Sequence, residues 1–517
     1  MKNLILFLTV LIILSNTNFA QKYMGISNPA QNPSCSSSYC HETIFGVWSK
    51  SAHATAHPVE SESYGYECLQ CHTTGWDAST DNFGADEFVR QDENQTPNYV
   101  VDPENLANWN ARTGVQCEAC HGPVGDEDGI LDWNHTERET QFTADICGKC
   151  HEGSHHPYYS EWQSSAHASG PPVYLDLTQR ETYSSCMYCH FAQDFIAFLE
   201  NPDYDAASFV PQGTLADITC VTCHNSHTGD LRELPAGFDG KVICDVCHTV
   251  HEEEIDFNDA PHHTTSEVLS QSNKFGWQYE GEDYSIAKSF HTLIRDRCVA
   301  CHVHPTDFNY ATGDAAVTGH TFKPRVEACA EACHTDYYDV VDTTNSAARF
   351  DYRGVQSSIK GLWNNLGVLL TEATSEDSTT DRFKKALYNY RAIESEGSWG
   401  IHNTKLVEKL LNDAIARMNL TSISDETGTP VEYRLAQNYP NPFNPSTTIR
   451  FSIPENSNVK VVIYNSLGME IATLVDDNLS SGSYQYKWNA TSFASGIYLY
   501  KLETNNFVDV RKMILLK

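Results

Sequence analysis

Apolar residues follow three different patterns along the 517-residue chain, and each pattern predicts a different structure. Near the N-terminus a continuous apolar run extends from Leu4 to Leu14, after Lys2 and before a polar stretch that ends at Ala20. The run is too short to span a bilayer, so residues 1–20 are predicted to be an export signal peptide, with a membrane anchor as the alternative. No other segment is apolar enough to cross a membrane. We therefore expect the mature chain to have no membrane span and to leave the cytoplasm.

Between residues 346 and 420, apolar residues recur every three or four positions, which is typical of amphipathic helices. Gly397 and Gly400 separate the second helical series from the third, and Asn403 or Thr404 can cap the third. We predict a helical bundle here, packed on the region that precedes it. The three series are Val355, Ile359, Leu362, Leu366 and Leu369; Phe383, Leu387, Tyr390 and Ile393; and Leu406, Leu410, Ile415 and Met418.

Beyond a polar linker at residues 421–432, the apolar positions alternate with a period of two, as in half-buried strands. Turn signals occur at "NSLG" and "SSGS". Residues 433–517 are therefore predicted to form an Ig-like antiparallel β-sandwich, a fold that would also suit adhesion or ligand binding. The alternating positions are Ile449, Phe451 and Ile453, then Val459, Val461 and Ile463.

The charge of the chain limits its partners. The 68 acidic residues outnumber the 34 basic residues, which gives a formal net charge of −34. Nucleic acids and anionic membranes would repel such a chain, so neither is expected as a partner.

The region from residue 21 to residue 345 contains all 18 cysteines, and they form nine pairs that are each followed directly by a histidine. No cysteine is left over for a disulfide. Seven pairs have the spacing C-x-x-C-H: Cys68, Cys71 and His72; Cys117, Cys120 and His121; Cys147, Cys150 and His151; Cys186, Cys189 and His190; Cys220, Cys223 and His224; Cys244, Cys247 and His248; and Cys298, Cys301 and His302. Two have wider loops: Cys35, Cys40 and His41; and Cys329, Cys333 and His334.

This pattern predicts covalently attached haem c. In C-x-x-C-H the two thiols form thioethers with the haem and the histidine is the proximal iron ligand. Structural zinc would take its four ligands from two such pairs and does not require the histidine. A redox dithiol needs neither nine copies nor the histidine. Because nine haems must share about 300 residues, we expect them to form much of the core of a mainly α domain with much irregular structure.

The remaining histidines predict the second axial ligand of most irons. Fourteen histidines follow no cysteine pair, whereas methionine occurs between residues 21 and 345 only at positions 24 and 187. We therefore predict mostly bis-His, low-potential haems. His227 and His251 follow a proximal histidine by three residues, so they are expected to reach a neighbouring haem. The predicted distal ligands are His53, His135, His167, His227, His251, His291 and His320; one of His155 and His156 and one of His262 and His263 are further candidates, and His57 and His304 are either ligands or solvated residues.

Residues 1–420 resemble the multihaem c-type cytochromes related to cytochrome c nitrite reductase and hydroxylamine oxidoreductase. The resemblance rests on "CEACHGPVG", on the segments "WSKSAHA" and "WQSSAHA", and on "ALYNYRAIESEGSWGIHN". It implies stacked haems followed by a long helical hairpin, with His402 of the last segment as a distal ligand. The C-x-x-C-K site of the nitrite reductases is absent, and the tyrosine cross-link of the hydroxylamine oxidoreductases cannot be assigned. The resemblance therefore supports the fold better than the activity.

Residues 433–517 resemble the C-terminal sorting domain of the type IX secretion system, through "LAQNYPNPFNPSTTIRFSIP", "VVIYNSLGMEIATLV" and "SGIYLYKLE". The resemblance implies that the type IX machinery is a partner. It also implies that the chain acquires its haems in the periplasm and is then secreted across the outer membrane, to act outside the cell or at its surface.

Two functions remain open at this point. The first is a non-enzymatic electron carrier, with no catalytic residue, that serves redox partner proteins or an extracellular electron acceptor. The second is an oxidoreductase that reduces nitrite, hydroxylamine or a sulfur oxyanion at one haem with an open coordination position.

Overall fold

The computed structural model describes most of the chain after the predicted signal peptide. The described residues are 23, 42–56, 65–79, 81–123, 142–170, 175, 177–201, 203–211, 215–238, 240–250, 257, 261, 264–272, 274–331, 333–375, 377–419 and 432–516. Several predicted features lie outside these residues: the signal peptide, most of the linker, the haem site of Cys35, Cys40 and His41, and the histidines His57, His135, His251, His262 and His263.

The chain divides into two compact units, and their limits do not follow the order of the sequence. The first comprises Met1–Ile243 and Cys298–Ala328, and the second comprises Cys244–Arg297 and Cys329–Lys517. The second unit therefore combines a part of the cysteine-rich region with the helical region and the C-terminal strands.

The cysteine-rich region is mostly irregular, with short helices and, among its described residues, one two-stranded antiparallel ribbon. The strands are Arg90–Gln91 (β1) and Tyr99–Val100 (β2). The helices are Glu42–Trp48 (α1), Leu69–His72 (α2), Leu106–Asn110 (α3), Cys117–His121 (α4), Asp145–Gly148 (α5), Tyr158–Gln163 (α6), Ser184–His190 (α7), Ala192–Glu200 (α8), Cys220–Cys223 (α9), Thr265–Ser270 (α10), Arg297–His302 (α11), Val326–Ala330 (α12) and Tyr337–Val340 (α13). Short 3₁₀ helices lie at Tyr66–Cys68, Ala85–Phe88, Ala166–Ser169, Leu177–Gln179, Ile243–Val246 and Phe290–Leu293.

The apolar clusters of the first unit are small. One gathers Leu69, Phe88 and Trp109 with their neighbours, and another gathers Met187 and Phe191 with theirs. Clusters of this size bury little apolar surface for a unit that includes Met1–Ile243. They fit the expectation that a prosthetic group supplies much of the core.

Three longer helices follow the cysteine-rich region where the periodicity predicts them. They are Val355–Thr371 (α14), Asp381–Glu396 (α15) and Thr404–Met418 (α16). The predicted boundary between α15 and α16 is confirmed: Gly397 ends α15 with φ of 73°, and the Asn403 side chain accepts a hydrogen bond from the Leu406 N–H at the start of α16. Two 3₁₀ turns, Tyr352–Gly354 and Asp377–Thr379, precede α14 and α15.

The core of this bundle also takes in a segment from the cysteine-rich region. Val268, Phe275 and Tyr284 are buried together with Leu366 and Leu410. Sequence periodicity gave no indication of this packing, because the segment containing Val268, Phe275 and Tyr284 has only one short helix, α10. The segment positions α10 beside the start of α16.

Asn403 is one of the buried polar links between that segment and the bundle. Its Nδ2 donates to the Val268 and Ala287 carbonyls at 3.1 and 2.8 Å, and the residue is 1% exposed. Replacing it with alanine removes a helix cap worth about 1 kcal/mol and leaves two buried carbonyls short of a donor, at about 1–3 kcal/mol each.

We therefore expect Asn403→Ala to lower the thermal midpoint of the helical circular dichroism signal. The matched control is Asn364→Ala on the exposed face of α14, which should leave the midpoint unchanged. Equal midpoints in the two variants would contradict this role of Asn403.

The C-terminal region is all β, and its two sheets are antiparallel. One sheet has the order β3-β4-β7 and the other β6-β5-β8-β9. The alternating residues predicted to face inward, such as Phe451 and Val461, are buried in one core to which both sheets contribute. The strands are Arg434–Leu435 (β3), Ser446–Ile453 (β4), Ser457–Asn465 (β5), Glu470–Leu479 (β6), Gly482–Asn489 (β7), Gly496–Glu503 (β8) and Val508–Leu515 (β9). Among the described residues, none of the helices has the length and apolarity needed to cross a membrane.

Candidate haem sites

The described C-x-x-C-H motifs form single helical turns. In α4 the motif occupies the whole helix from Cys117 to His121, and in α9 the helix runs from Cys220 to Cys223. Residues three apart lie on the same side of a helix, so both thiols of a motif face the same way and the histidine follows them closely. Most of the described cysteines are partly exposed. Two thiols and one imidazole on a single turn fit the attachment of one haem c.

Two further motifs end longer helices. Cys186 and Cys189 lie in the second half of α7, which ends at His190. Cys298 and Cys301 lie on α11, which ends at His302. All four thiols are partly exposed, so they are accessible for attachment to a haem.

One motif cannot be placed in the same way. Cys35, Cys40 and His41 all lie outside the described residues, so the first of the nine haem sites stays a prediction from the sequence. The other motif with a wider loop is described: the Cys333 thiol is exposed and the Cys329 thiol is partly exposed.

Three motifs of the first unit lie side by side. The side chains of Cys71 and Cys150 lie next to each other, and so do those of Cys147 and Cys220. The 147–151 motif therefore lies between the 68–72 and 220–224 motifs. Groups attached to these three turns would be close neighbours.

Four pairs of histidine rings from distant parts of the chain lie at a common distance, which the rings of the adjacent residues His155 and His156, 6.4 Å apart, also approach. An iron bound by two imidazoles is roughly 2 Å from each nitrogen, and each nitrogen is about 1.1 Å from its ring centre, so the ring centres are expected roughly 6.2 Å apart. The observed ring-centre distances and interplanar angles are 6.0 Å and 59° for His53–His151, 6.3 Å and 16° for His121–His227, 6.2 Å and 27° for His224–His320, and 6.3 Å and 89° for His291–His334.

The composition of these pairs is as informative as their spacing. Each joins one histidine that follows a cysteine pair with one that the sequence predicts as a distal ligand. His227 lies opposite His121 and not opposite His224 of its own motif. The wider motif of Cys329 and Cys333 is also represented, because its His334 faces His291.

The Nδ1 atoms of several motif histidines and predicted distal histidines contact oxygen atoms of the chain. A ring that donates its Nδ1–H in this way has its orientation fixed and its Nε2 lone pair free for a metal. The contacts are His72 with the Ala56 carbonyl, His224 with Gly229 at 2.9 Å, His291 with Ile401 at 2.8 Å, His302 with Phe322 at 2.8 Å, and His320 with Thr318 at 3.0 Å to Oγ1 and 3.2 Å to the carbonyl.

Burial keeps several of these rings neutral, which is the form that binds a metal. It lowers the pKa of His53, His227, His291 and His320 below the usual value. For His151, burial is again the main cause, and repulsion from neighbouring histidines, including His53 and His224, adds to it and lowers the pKa to about 4.

The repeated "W-x-x-S-A-H" segments have a matching structural contact that the sequence did not reveal. Trp48 Nε1 donates to the Val115 carbonyl at 3.1 Å, and Trp162 Nε1 donates to the Ile218 carbonyl at 2.8 Å. Each acceptor lies two residues before the first cysteine of a motif. The two tryptophans therefore anchor equivalent points of the 117–121 and 220–224 motifs.

A carboxylate holds the loop that carries His320. Glu161 accepts hydrogen bonds from the Thr318 N–H at 3.0 Å, the Thr318 hydroxyl at 2.7 Å and the His320 N–H at 2.8 Å. Its position is one residue before Trp162, so the same helix, α6, positions both a motif and a predicted distal ligand. Glu161 was not among the residues that the sequence singled out.

The other described site histidines have different surroundings. His167 packs edge-on against the Phe322 ring at 4.5 Å, beside the carbonyl that holds His302. His190 ends α7, and the His248 carbonyl accepts a hydrogen bond from the Ser266 N–H at 3.0 Å. The remaining one, His402, has its Nδ1 against the Glu396 carboxylate.

The histidine doublet predicted as a source of one ligand is also described. His155 stacks on Phe308 at 3.8 Å, whereas His156 is close enough to His72 for that ring to help lower its pKa, after burial and His155.

Comparisons with known proteins match two regions of the chain. Residues 437–516 match the family model described as the secretion system C-terminal sorting domain. The multiheme cytochrome MtrA of Shewanella baltica (strain OS185) is 28% identical over 158 residues, which are 27% of this chain and 43% of that protein. The match thus spans less than half of the length of this curated relative.

Two solved structures are also similar to the chain. The outer cell wall cytochrome OcwA has a TM-score of 0.44 and 18% identity, with 77% of this chain and 99% of that chain covered. An undecaheme cytochrome from the S-layer of Carboxydothermus ferrireducens has a TM-score of 0.41 and 21% identity, with 68% and 55% covered. The sequence matches support a multihaem cytochrome that carries a C-terminal sorting domain.

Proposed function

We propose that this multihaem cytochrome with a C-terminal sorting domain is a secreted or surface-exposed carrier that relays electrons through nine covalently attached haems. One observation carries the proposal: four pairs of histidine rings, each made of a motif histidine and a predicted distal histidine, lie 6.0–6.3 Å apart. An iron between two such rings has both axial positions filled. Haem bound in this way exchanges electrons and has no free position for a substrate.

The four pairs support an assignment of axial ligands for four haems. In this assignment His53 would be the distal ligand opposite His151, His227 opposite His121, His320 opposite His224, and His291 opposite His334. For the haem at His72, one of His155 and His156 is a candidate distal ligand. His135, His167 and His251 remain candidates for the other haems, which include those at His41, His190 and His302.

The arrangement of the motifs supports a relay. Electron tunnelling falls steeply with distance, so a relay needs its haems close together. The thiol contacts between the 68–72, 147–151 and 220–224 motifs supply that proximity for three haems in a row. The chain then contributes the ligands, the spacing and the exclusion of water, and haem supplies the redox chemistry when bound.

Ligand type and charge both favour low reduction potentials. Paired histidines lack the potential-raising effect of a methionine ligand. The excess of carboxylates, with a net charge of −34, stabilises the more positive oxidised irons. A redox titration of the haem-loaded protein is expected to be centred below zero millivolts.

The sorting domain supports the location of this relay. A chain that passes through the periplasm and then leaves through the type IX machinery would acquire haem before secretion. Its electron donors and acceptors would be redox proteins of the outer membrane and acceptors outside the cell.

The electron paramagnetic resonance spectrum of the air-oxidised, haem-loaded chain tests the carrier function. We expect only low-spin ferric signals, because every iron has two histidine ligands. A high-spin component close to stoichiometric with protein would overturn the carrier function. It would favour the alternative, an oxidoreductase acting on nitrite, hydroxylamine or a sulfur oxyanion at one open haem.

A further inference from the structure

A buried carboxylate lies directly behind one of the candidate ligands. Glu396 is the last residue of α15, and its side chain is 0% exposed. One carboxylate oxygen contacts Nδ1 of His402. The other accepts hydrogen bonds from the N–H and the hydroxyl of Ser398, at 3.1 and 2.8 Å. Both oxygens of Glu396 are therefore fixed, and one of them faces the imidazole.

This environment differs from that of the other ligands with a described Nδ1 contact. His72, His224, His291 and His302 face backbone carbonyls, and His320 faces Thr318. A hydrogen bond to a carboxylate is roughly twice as strong as one to a neutral acceptor. It withdraws the Nδ1 proton further and makes the opposite nitrogen a stronger donor to a metal.

The charge of Glu396 is also expected to lower the reduction potential of a haem bound by His402. Within the described part of the chain, the Glu396 oxygen that contacts Nδ1 of His402 lies in a fully buried side chain. Burying such a charge is costly unless a positive charge compensates it. A ferric haem carries one more positive charge than a ferrous haem, so the carboxylate stabilises the ferric state.

The surroundings of His402 identify the haem concerned. Asn403 donates to the Val268 carbonyl on α10, and Ser266 on the same helix donates from its N–H to the His248 carbonyl. The other described proximal histidine of this unit, His334, already faces His291. These contacts favour the haem of Cys244, Cys247 and His248 as the one that His402 would ligate.

We propose that Glu396 is a positioning residue that sets a low reduction potential at the haem ligated by His248 and His402. The proposal rests on the proposed ligation of haem by these histidines. The same loop supplies the Ile401 carbonyl, which contacts Nδ1 of His291. The haem proposed at His334 and His291 is therefore a neighbour of the haem at His248 and His402, and its distal ligand faces a neutral acceptor. With haem bound at both sites, this difference would favour transfer of one electron from the reduced haem held by His248 to the oxidised haem held by His334.

The test is Glu396→Gln in the full, haem-loaded chain. Glutamine keeps the shape of the side chain and an acceptor oxygen but removes the charge. In a spectroelectrochemical titration, one of the nine components is expected to shift so that its reduced-to-oxidised ratio at a fixed potential rises about tenfold, which corresponds to about 59 mV for one electron. The low-spin resonance signal of the same haem is expected to move, with the haem content unchanged.

Two variants on the same segment serve as comparisons. Glu394→Gln removes an equal charge from an exposed position of α15 and should leave all midpoints in place. Ser398→Ala removes a hydrogen-bond donor to the carboxylate but leaves its charge, so an upward shift as large as that of Glu396→Gln would contradict the role of the charge.

His402→Gly separates failure of this inference from failure of the ligation beneath it. If His402→Gly converts one haem to high spin while Glu396→Gln shifts no midpoint, the ligation holds and the role of Glu396 is overturned. If His402→Gly leaves every haem low-spin, His402 is not a ligand and the proposal for Glu396 falls with that assignment. The carrier function is judged independently by the spectrum of the unmodified protein.

Discussion

A chain in which Cys147 and Cys150 are both replaced by alanine is expected to carry eight haems and to conduct poorly between the groups on either side. The 147–151 motif contacts the 68–72 motif through Cys71 and the 220–224 motif through Cys220. Removing the haem in the middle roughly doubles the gap that an electron must cross. Because tunnelling falls exponentially with distance, the rate across this gap should drop by orders of magnitude.

Protein-film voltammetry measures this loss. At slow scan rates all eight remaining haems should contribute to the current. At fast scan rates the haems beyond the gap should no longer contribute. Intact mass and the pyridine haemochrome spectrum confirm the haem count. The control is the double alanine variant at Cys329 and Cys333, which also carries eight haems but keeps the three adjacent motifs intact. Identical fast-scan currents in the two variants would show that the 147–151 haem is not in the path.

Replacing a distal histidine with methionine is expected to have the second largest effect. Methionine ligation raises the reduction potential of haem iron. In His291→Met or His227→Met, the reduction potential of one haem should rise by roughly 0.1–0.3 V. This lies within the range of about 0.8 V that axial ligands can set. The haem with the higher potential would retain electrons and slow their transfer along the chain of haems.

The two variants are controls for each other because their ring geometries differ. The planes of His291 and His334 are nearly perpendicular, at 89°, whereas those of His121 and His227 are nearly parallel, at 16°. Perpendicular ligand planes leave the iron orbitals almost degenerate and give a highly anisotropic low-spin signal, while parallel planes give a rhombic one. His291→Met should remove an anisotropic signal, and His227→Met a rhombic one. Loss of the same signal in both variants would contradict the pairing.

The sequence predicted those parts of the structure that depend on local pattern. The spacing of apolar residues predicted α14, α15 and α16, and Asn403 at the start of α16 was recognisable as a cap. Alternation predicted the burial of Phe451 and Val461. The haem-attachment motifs could be recognised from the sequence alone, because the two cysteines and the histidine lie within one helical turn.

The partners of the distal histidines could not be predicted in the same way. His53 and His151 are separated by almost 100 residues of irregular chain, and no local pattern specifies which two rings meet. The same holds for Glu396, which looks like any other glutamate at the end of an amphipathic helix. Its importance depends on the turn at Gly397, which brings His402 back to it.

The tryptophan contacts bear on how the number of proposed haem sites in such a chain can change. Trp48 and Trp162 each tie a short helix and a downstream histidine to the start of a motif, at equivalent carbonyls. The histidine pairs, by contrast, join different segments, because His227 of the 220–224 segment lies opposite His121. Removal of one such segment would therefore also take an axial ligand from a proposed haem in another segment, so the number of haem sites can change only together with the pairing of the histidines.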